Sequence, residues 1–144
     1  MIVQQILKSK STEGVITVAP GTSVDKVAEI LSENRIGSVI VSSDGTDCIG
    51  ILSERDIVRE LGRRGGGCLA DKVDDMMTRG LKTTTLGETA ESVLERMTEG
   101  RFRHMPVIED GALIGIITLG DVVKARLSEL AMEKDALQGM IMGH

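Results

Sequence analysis

One feature limits what this chain can fold into more than any other: it is written twice. Shifting the sequence by 66 places Thr17 on Thr83, Gly21 on Gly87, Val27 on Val93, Glu29 on Glu95 and Glu33 on Glu99, with Arg35 on Arg101 and Val41 on Val107. The pair Asp44-Gly45 then falls on Asp110-Gly111, which makes nine identities over positions 16–45. Past that turn the offset drops to 65, and Gly50, Ile51, Asp56 and Val58 meet Gly115, Ile116, Asp121 and Val123. The missing residue lies in a loop, where deletion is best tolerated. Even the lead-ins match loosely, Val3 to Lys8 with Val73 to Thr78. A self-match of this length is the signature of a duplicated structural unit.

Each copy has the same local grammar. A short extended segment, Val15 to Val18 or Leu81 to Thr84, runs into a turn at Pro20-Gly21 or Leu86-Gly87. The apolar spacing predicts a helix from Ser23 or Glu88 to Glu33 or Glu99, because Val24, Val27, Ala28 and Leu31 recur on one face. Ser23 and Thr89 are the expected N-caps, since a hydroxyl there accepts from a free backbone N–H. Two β-branched runs follow, Ser38 to Val41 with Cys48 to Leu52, and Met105 to Ile108 with Leu113 to Ile117, each pair separated by Asp-Gly. A second helix begins near Glu54 or Leu119, and the later one is expected to run to Met140. Its stripe of Leu127, Leu130, Ala131, Leu137 and Ile141 has two expected destinations, the body of the chain or a second copy. Gly65-Gly66-Gly67 reads as a flexible seam. The fold class is therefore α/β (α+β), two β-α-β-β-α repeats. The divisions are 1–66 for the first repeat with its lead-in, 67–127 for the second, and 128–144 for a helical extension.

Composition narrows the chemistry. With 144 residues and 41% hydrophobic content, two half-sized units can bury a core if they cover each other. The net charge of −5 and a single aromatic, Phe102, argue against a nucleic-acid binder, which needs a basic face or stacking rings. The longest apolar run, near Ile114 to Ile117, is far too short to span a bilayer, and Met1 to Leu7 has no leader-like pattern. A cytoplasmic location is the default expectation. Cys48 and Cys68 form no paired motif; a disulfide between them is the poorly motivated alternative to two inert thiols. No Cys–His or Ser–His–Asp set stands out: His104 has no evident partner and His144 is terminal. Metal-ligand spacings are absent, and Gly62 to Gly67 lacks the pattern of a phosphate loop. Met76-Met77 and the Met132, Met140, Met142 group read as core or interface filler. The chain is expected not to be an enzyme.

The repeated strand endings carry the most chemistry. "GILSERD", Gly50 to Asp56, and "GIITLGD", Gly115 to Asp121, each end an apolar run in a hydroxyl residue with an aspartate three positions on. An ionised carboxylate offers only acceptors, which suits the adjacent hydroxyls of a ribose. Ser53 and Thr118 can donate to phosphate or ribose oxygens, and the free N–H groups of a helix start favour an anion. Capping explains the same four residues without any ligand.

These motifs resemble a tandem pair of CBS domains, a Bateman module, over nearly the whole chain from about Met1 to Leu127. The resemblance implies two repeats packed with pseudo-twofold symmetry, clefts between them, and a stand-alone regulatory protein with no attached catalytic domain. It implies an adenosine-containing small molecule as regulatory ligand (AMP, ADP, ATP, NAD(H) or S-adenosylmethionine), with no cofactor required, in energy sensing or signal transduction. It also implies a homodimer, an unknown downstream protein, and neither nucleic acid nor membrane as partner. Carried onto this sequence, it points to Asp56 and Asp121 at the ribose, with Ser53 and Thr118 beside them, and to Arg103 and His104 of "RFRHMPV" at phosphate. If that segment is extended, Arg101 and Arg103 lie on one side and His104 on the other; a solvated basic patch is the alternative. The first copy has Gly37 and Ser38 at the places of Arg103 and His104, so the two seats are expected to differ, with Arg55 left to supply charge. The adenine slot falls to Ile16, Thr17 and Val18 with Thr83 on one side, and Ser38, Met105 and Pro106 on the other. A structural dimerisation module that binds nothing is the competing reading.

Overall fold

A computed structural model of the chain describes residues 1–10 and 14–142; His144 lies outside them. The elements run α1 (Val3–Ser9), β1 (Thr17–Val18), α2 (Val24–Asn34), β2 (Ser38–Val41), β3 (Gly50–Ser53), α3 (Glu54–Arg64), a 3-10 helix (Gly66–Ala70), α4 (Val73–Met76), α5 (Ala90–Gly100), β4 (His104–Glu109), β5 (Ala112–Thr118) and α6 (Leu119–Ile141). They form two compact units: Gly14–Lys82 with Ile108–Gly115, and Met1–Glu13 with Thr83–Val107 and Ile116–His144.

The first unit is built on a three-stranded sheet in the order β1-β2-β3. β1 lies parallel to β2, and β2 pairs antiparallel with β3 in the register Ser38 to Ser53 and Val41 to Gly50. Its core gathers Val24, Val27 and Leu31 of α2, Val39 and Val41 of β2, Leu52 of β3, and Ile57 of α3. Each side chain of this size contributes about 1.5–3 kcal/mol when fully buried. In the other unit Ala90, Val93 and Met97 of α5 pack on Met105 and Val107 of β4, Ile117 of β5, and Val122 and Ala125 of α6.

The repeat extends to backbone conformation. Helices α2 and α5 both end in a left-handed arginine, Arg35 at φ 53° and Arg101 at φ 55°. The next amide reaches back five residues, Ile36 to Leu31 and Phe102 to Met97, closing each helix C-terminus. Arg101 is thus a helix cap, and the expected alternation of Arg101, Arg103 and His104 along one strand does not occur. Asp110 and Gly111 have φ 51° and 78° and make the tight turn of the second hairpin. In the first hairpin, Asp44 Oδ1 instead accepts from the amides of Thr46 and Asp47, and β3 starts only at Gly50.

Each lead-in packs on the opposite copy. Val3 and Ile6 of α1 join the core of α5, and Val73 and Met76 of α4 join that of α2. The matching bonds are Val3 N–H to Glu88 O and Ala90 N–H to Met1 O, against Val73 N–H to Thr22 O and Val24 N–H to Asp71 O. Gly65 to Gly67, expected as a seam, enters the 3-10 helix, held to the first core by the buried Cys68. Cys48 and Cys68 are both free thiols. In α6 the expected stripe does not pack on the described body: Leu127, Leu130, Leu137 and Ile141 are all exposed.

Candidate functional site

Two strand-to-helix corners carry the paired hydroxyl and carboxylate residues. β3 runs directly into α3, and β5 into α6. Ser53 and Thr118 are extended residues with φ −106° and −99°, so each presents its side chain to the first turn that follows. Ser53 Oγ accepts from the Asp56 amide at 3.3 Å, and Asp56 Oδ2 accepts from the Ser53 amide at 3.0 Å and its hydroxyl at 2.9 Å. Thr118 Oγ1 accepts from the Asp121 amide at 3.1 Å, and Asp121 Oδ2 accepts from the Thr118 amide at 3.0 Å. Both corners are reciprocal capping boxes. The first free amide of each helix is also matched, Glu54 N–H to Gly37 O and Leu119 N–H to Arg103 O. Capping therefore operates at both corners, whatever else they do.

The aspartates differ in their counter-ions. Asp56 is buried, and its Oδ1 takes the Arg59 guanidinium at 2.9 Å; that arginine lies on the same helix and is 63% exposed. Asp121 Oδ2 lies 2.9 Å from Lys10 Nζ, whose side chain is only 17% exposed. Burial pushes the Asp121 carboxyl up, but the Thr118 amide and the Lys10 ammonium outweigh it and hold the carboxyl below its ordinary range.

The remaining predicted residues divide by exposure. Arg55 and Arg103 are exposed, as is Thr83. Ile16, Thr17 and His104 are half-buried, while Val18, Ser38, Met105 and Pro106 are buried. Val18 and Met105 belong to the two cores. Ser23 does not cap α2 with its side chain; its hydroxyl instead bonds the Asp25 carboxylate. Thr89 does cap α5, accepting from the Ser92 amide at 3.1 Å. Sequence reasoning passed over Lys10 and Arg59. Only an i,i+3 charge pattern could have signalled Arg59, and nothing local signals Lys10.

An open groove of about 460 Å³ lies between α2 and α3, lined by Leu31, Ile36, Ile57, Val58 and Glu54 among others. No group of three or more potential metal ligands occurs among the described residues. No described helix is long and apolar enough to cross a membrane.

The family model for the CBS domain matches residues 3–63 and again 73–128. The chain belongs to the CBS-domain family. It is similar to the mitochondrial CBS domain-containing protein CBSX3 of Arabidopsis thaliana, 30% identical over 94% of this chain and 68% of that protein. A solved CBS-domain containing protein from Agrobacterium tumefaciens is 38% identical with a TM-score of 0.82, covering 88% of this chain and 99% of that one. Two more distant CBS structures, each 22% identical, share the fold. One is a protein from Pyrobaculum aerophilum complexed with AMP, with a TM-score of 0.78 over 92% of this chain and 99% of that one. The other is the CBS domain pair of protein MJ0100 in complex with 5-methylthioadenosine and S-adenosyl-L-methionine, with a TM-score of 0.77 over 90% and 98%. The CBS-pair fold expected from the duplicated motifs is thus the fold of this chain.

Proposed function

We propose that this CBS protein is a non-catalytic sensor of adenosine-containing ligands, seated at the Ser53–Asp56 and Thr118–Asp121 corners. The observation that carries the reading is the duplicated corner itself. Each places a carboxylate, a small hydroxyl and a helix N-terminus within one turn of chain. The aspartate takes ribose hydroxyls, and the helix start with its nearby basic side chains takes phosphate. Acceptor capacity remains for this. Asp121 Oδ1 makes no hydrogen bond among the described residues, and Asp56 Oδ1 has only Arg59. AMP in one relative and S-adenosylmethionine in another support an adenosyl ligand as the class. Binding signals by favouring one arrangement of the protein over another, to the extent of its differential affinity for them.

Calorimetry with AMP and adenosine tests the reading on the wild type, Asp56→Ala and Asp121→Ala. Each substitution is expected to weaken at least one binding event by tenfold or more. Unchanged isotherms in both variants would refute the ribose seats.

Self-association is the second role that an observation favours. Val58 at 66% exposure, beside the apolar groove of α2 and α3, and Leu127 at 63% in α6 are large apolar side chains left in water. A homodimer is the proposed state, read by light scattering.

A further inference from the structure

We propose that Lys10 makes the Thr118–Asp121 corner selective for adenosine ligands that carry a phosphate. The inference rests on the adenosine reading and assigns one corner its ligand charge. It starts from a broken symmetry. In the first copy, the main chain after α4 pairs with β3: Thr78 and Ile51 exchange both amide-to-carbonyl bonds, at 2.9 and 3.0 Å. The residue equivalent to Ile51 is Ile116, and its carbonyl takes the Lys10 side chain at 2.8 Å. At the lead-in offset of 70, Lys10 falls on Gly80, so the first copy has no such cation.

Lys10 Nζ is therefore fixed from two sides, by the Ile116 carbonyl and, at 2.9 Å, by Asp121 Oδ2. An ammonium carries three N–H donors. Two are committed here, and the third has no partner among the described residues, which leaves it for an oxygen beside the carboxylate. The main chain of Arg103 abuts the same helix start through its carbonyl, and its side chain is exposed. The first corner carries different charges: Gly37 stands in place of Arg103, Glu54 in place of Leu119, and the counter-ion of Asp56 is the exposed Arg59 of its own helix. The fixed Lys10 ammonium favours a phosphate dianion next to the ribose over an uncharged nucleoside, and over a sulfonium still more.

The test is calorimetric, on the full chain carrying Asp56→Ala so that the Asp121 corner is read alone. With Lys10 intact, AMP is expected to bind at least tenfold tighter than adenosine. Lys10→Met should cut that ratio about tenfold, the usual scale of one charge-assisted hydrogen bond. Lys10→Arg, which keeps the charge and guards against a folding defect in the methionine variant, should keep most of the preference. A ratio unchanged in Lys10→Met, with adenosine still lost in Asp121→Ala, overturns the role of Lys10 and leaves the ribose seat standing. Absence of binding by either compound in the unsubstituted chain overturns both.

Discussion

Replacing each aspartate by asparagine separates capping from ion pairing, and the repeat supplies its own control. Asparagine keeps an oxygen that can accept from the Thr118 or Ser53 amide, so most of the capping box survives at both corners. Both substitutions also lose the attraction between the carboxylate and the helix N-terminus, about 0.3–1 kcal/mol each. Asp56 also accepts from the Ser53 hydroxyl and is the more buried of the two, but the larger difference is the counter-ion. Lys10 and Asp121 are 2.9 Å apart with side chains 17% and 23% exposed. At that distance two unit charges attract by about 6 kcal/mol at an effective dielectric near 20. Desolvation and side-chain ordering offset most of this, leaving about 1–2 kcal/mol net. Arg59 is 63% exposed on the helix of its own partner, a geometry worth about 0.3–0.5 kcal/mol. Asp121→Asn should therefore cost about 1 kcal/mol more than Asp56→Asn, or roughly 3 °C in Tm for a chain of this size. Urea unfolding at low salt is the assay, because an ionic denaturant would screen the pair. Double-mutant cycles with Lys10→Met and Arg59→Met isolate the two couplings. Equal costs for the two asparagines, or a Lys10 coupling no larger than that of Arg59, would refute the argument.

Two further outcomes follow from other contacts. Burial pushes the Glu88 carboxyl up, but the hydroxyls of Thr84 and Ser92 and the Arg96 guanidinium bring it below its ordinary range, as Lys10 and the Thr118 amide do for Asp121. Both groups bind protons more weakly folded than unfolded, so their stabilisation is full above pH ~5 and fades as pH falls below ~4 through the folded values. Urea midpoints should drop between pH 5 and pH 3, and less steeply in Glu88→Gln and Asp121→Asn; parallel drops would exclude both groups as the cause. Separately, a Cβ at Gly50 would lie 2.6 Å from Met77 Sδ and 2.9 Å from the Thr78 carbonyl. The methionine can turn aside but the paired carbonyl cannot, so Gly50→Ala should lose about 1–3 kcal/mol. Gly62→Ala, with nothing within 4 Å of its Cβ in α3, should be neutral or gain up to about 1 kcal/mol in the same unfolding assay.

Much of what both copies state was legible in the sequence, although the shared Asp-Gly pairs make different turns. Arg35 and Arg101, Asp56 and Asp121, and Ser53 and Thr118 occupy matched positions, and the backbone treats each pair alike. Local pattern was less informative where a side chain had a choice of partner. Ser23 and Thr89 read identically, yet only Thr89 caps; Asp25, two residues after Ser23, captures its hydroxyl. The glycine run at Gly65 to Gly67 read as a hinge, because nothing in it shows that Cys68 will anchor the turn in the core. The crossing of the lead-ins was not legible either. Short helices such as α1 and α4 carry an apolar face but no mark of which copy they cover. Lys10 went unnoticed for the same reason, since its partner lies more than a hundred positions away and its counterpart is a glycine.

The arrival of Lys10 from outside its partner's stretch of chain bears on how the two corners can differ. A capping box needs only two residues three positions apart, and duplication preserves it because each helix would lose stability without it. Folding alone therefore gives each aspartate a role, before any ligand is considered. Charge around it is not under the same constraint. Gly37 can become Arg103, Glu54 can become Leu119, and a lysine can arrive from the opposite lead-in, all without touching the cap. The two copies can therefore diverge in the ligand charge they accept while remaining alike in fold. If so, changing Gly37, Glu54 and Gly80 in the first copy toward their counterparts should shift its ligand preference before it changes stability.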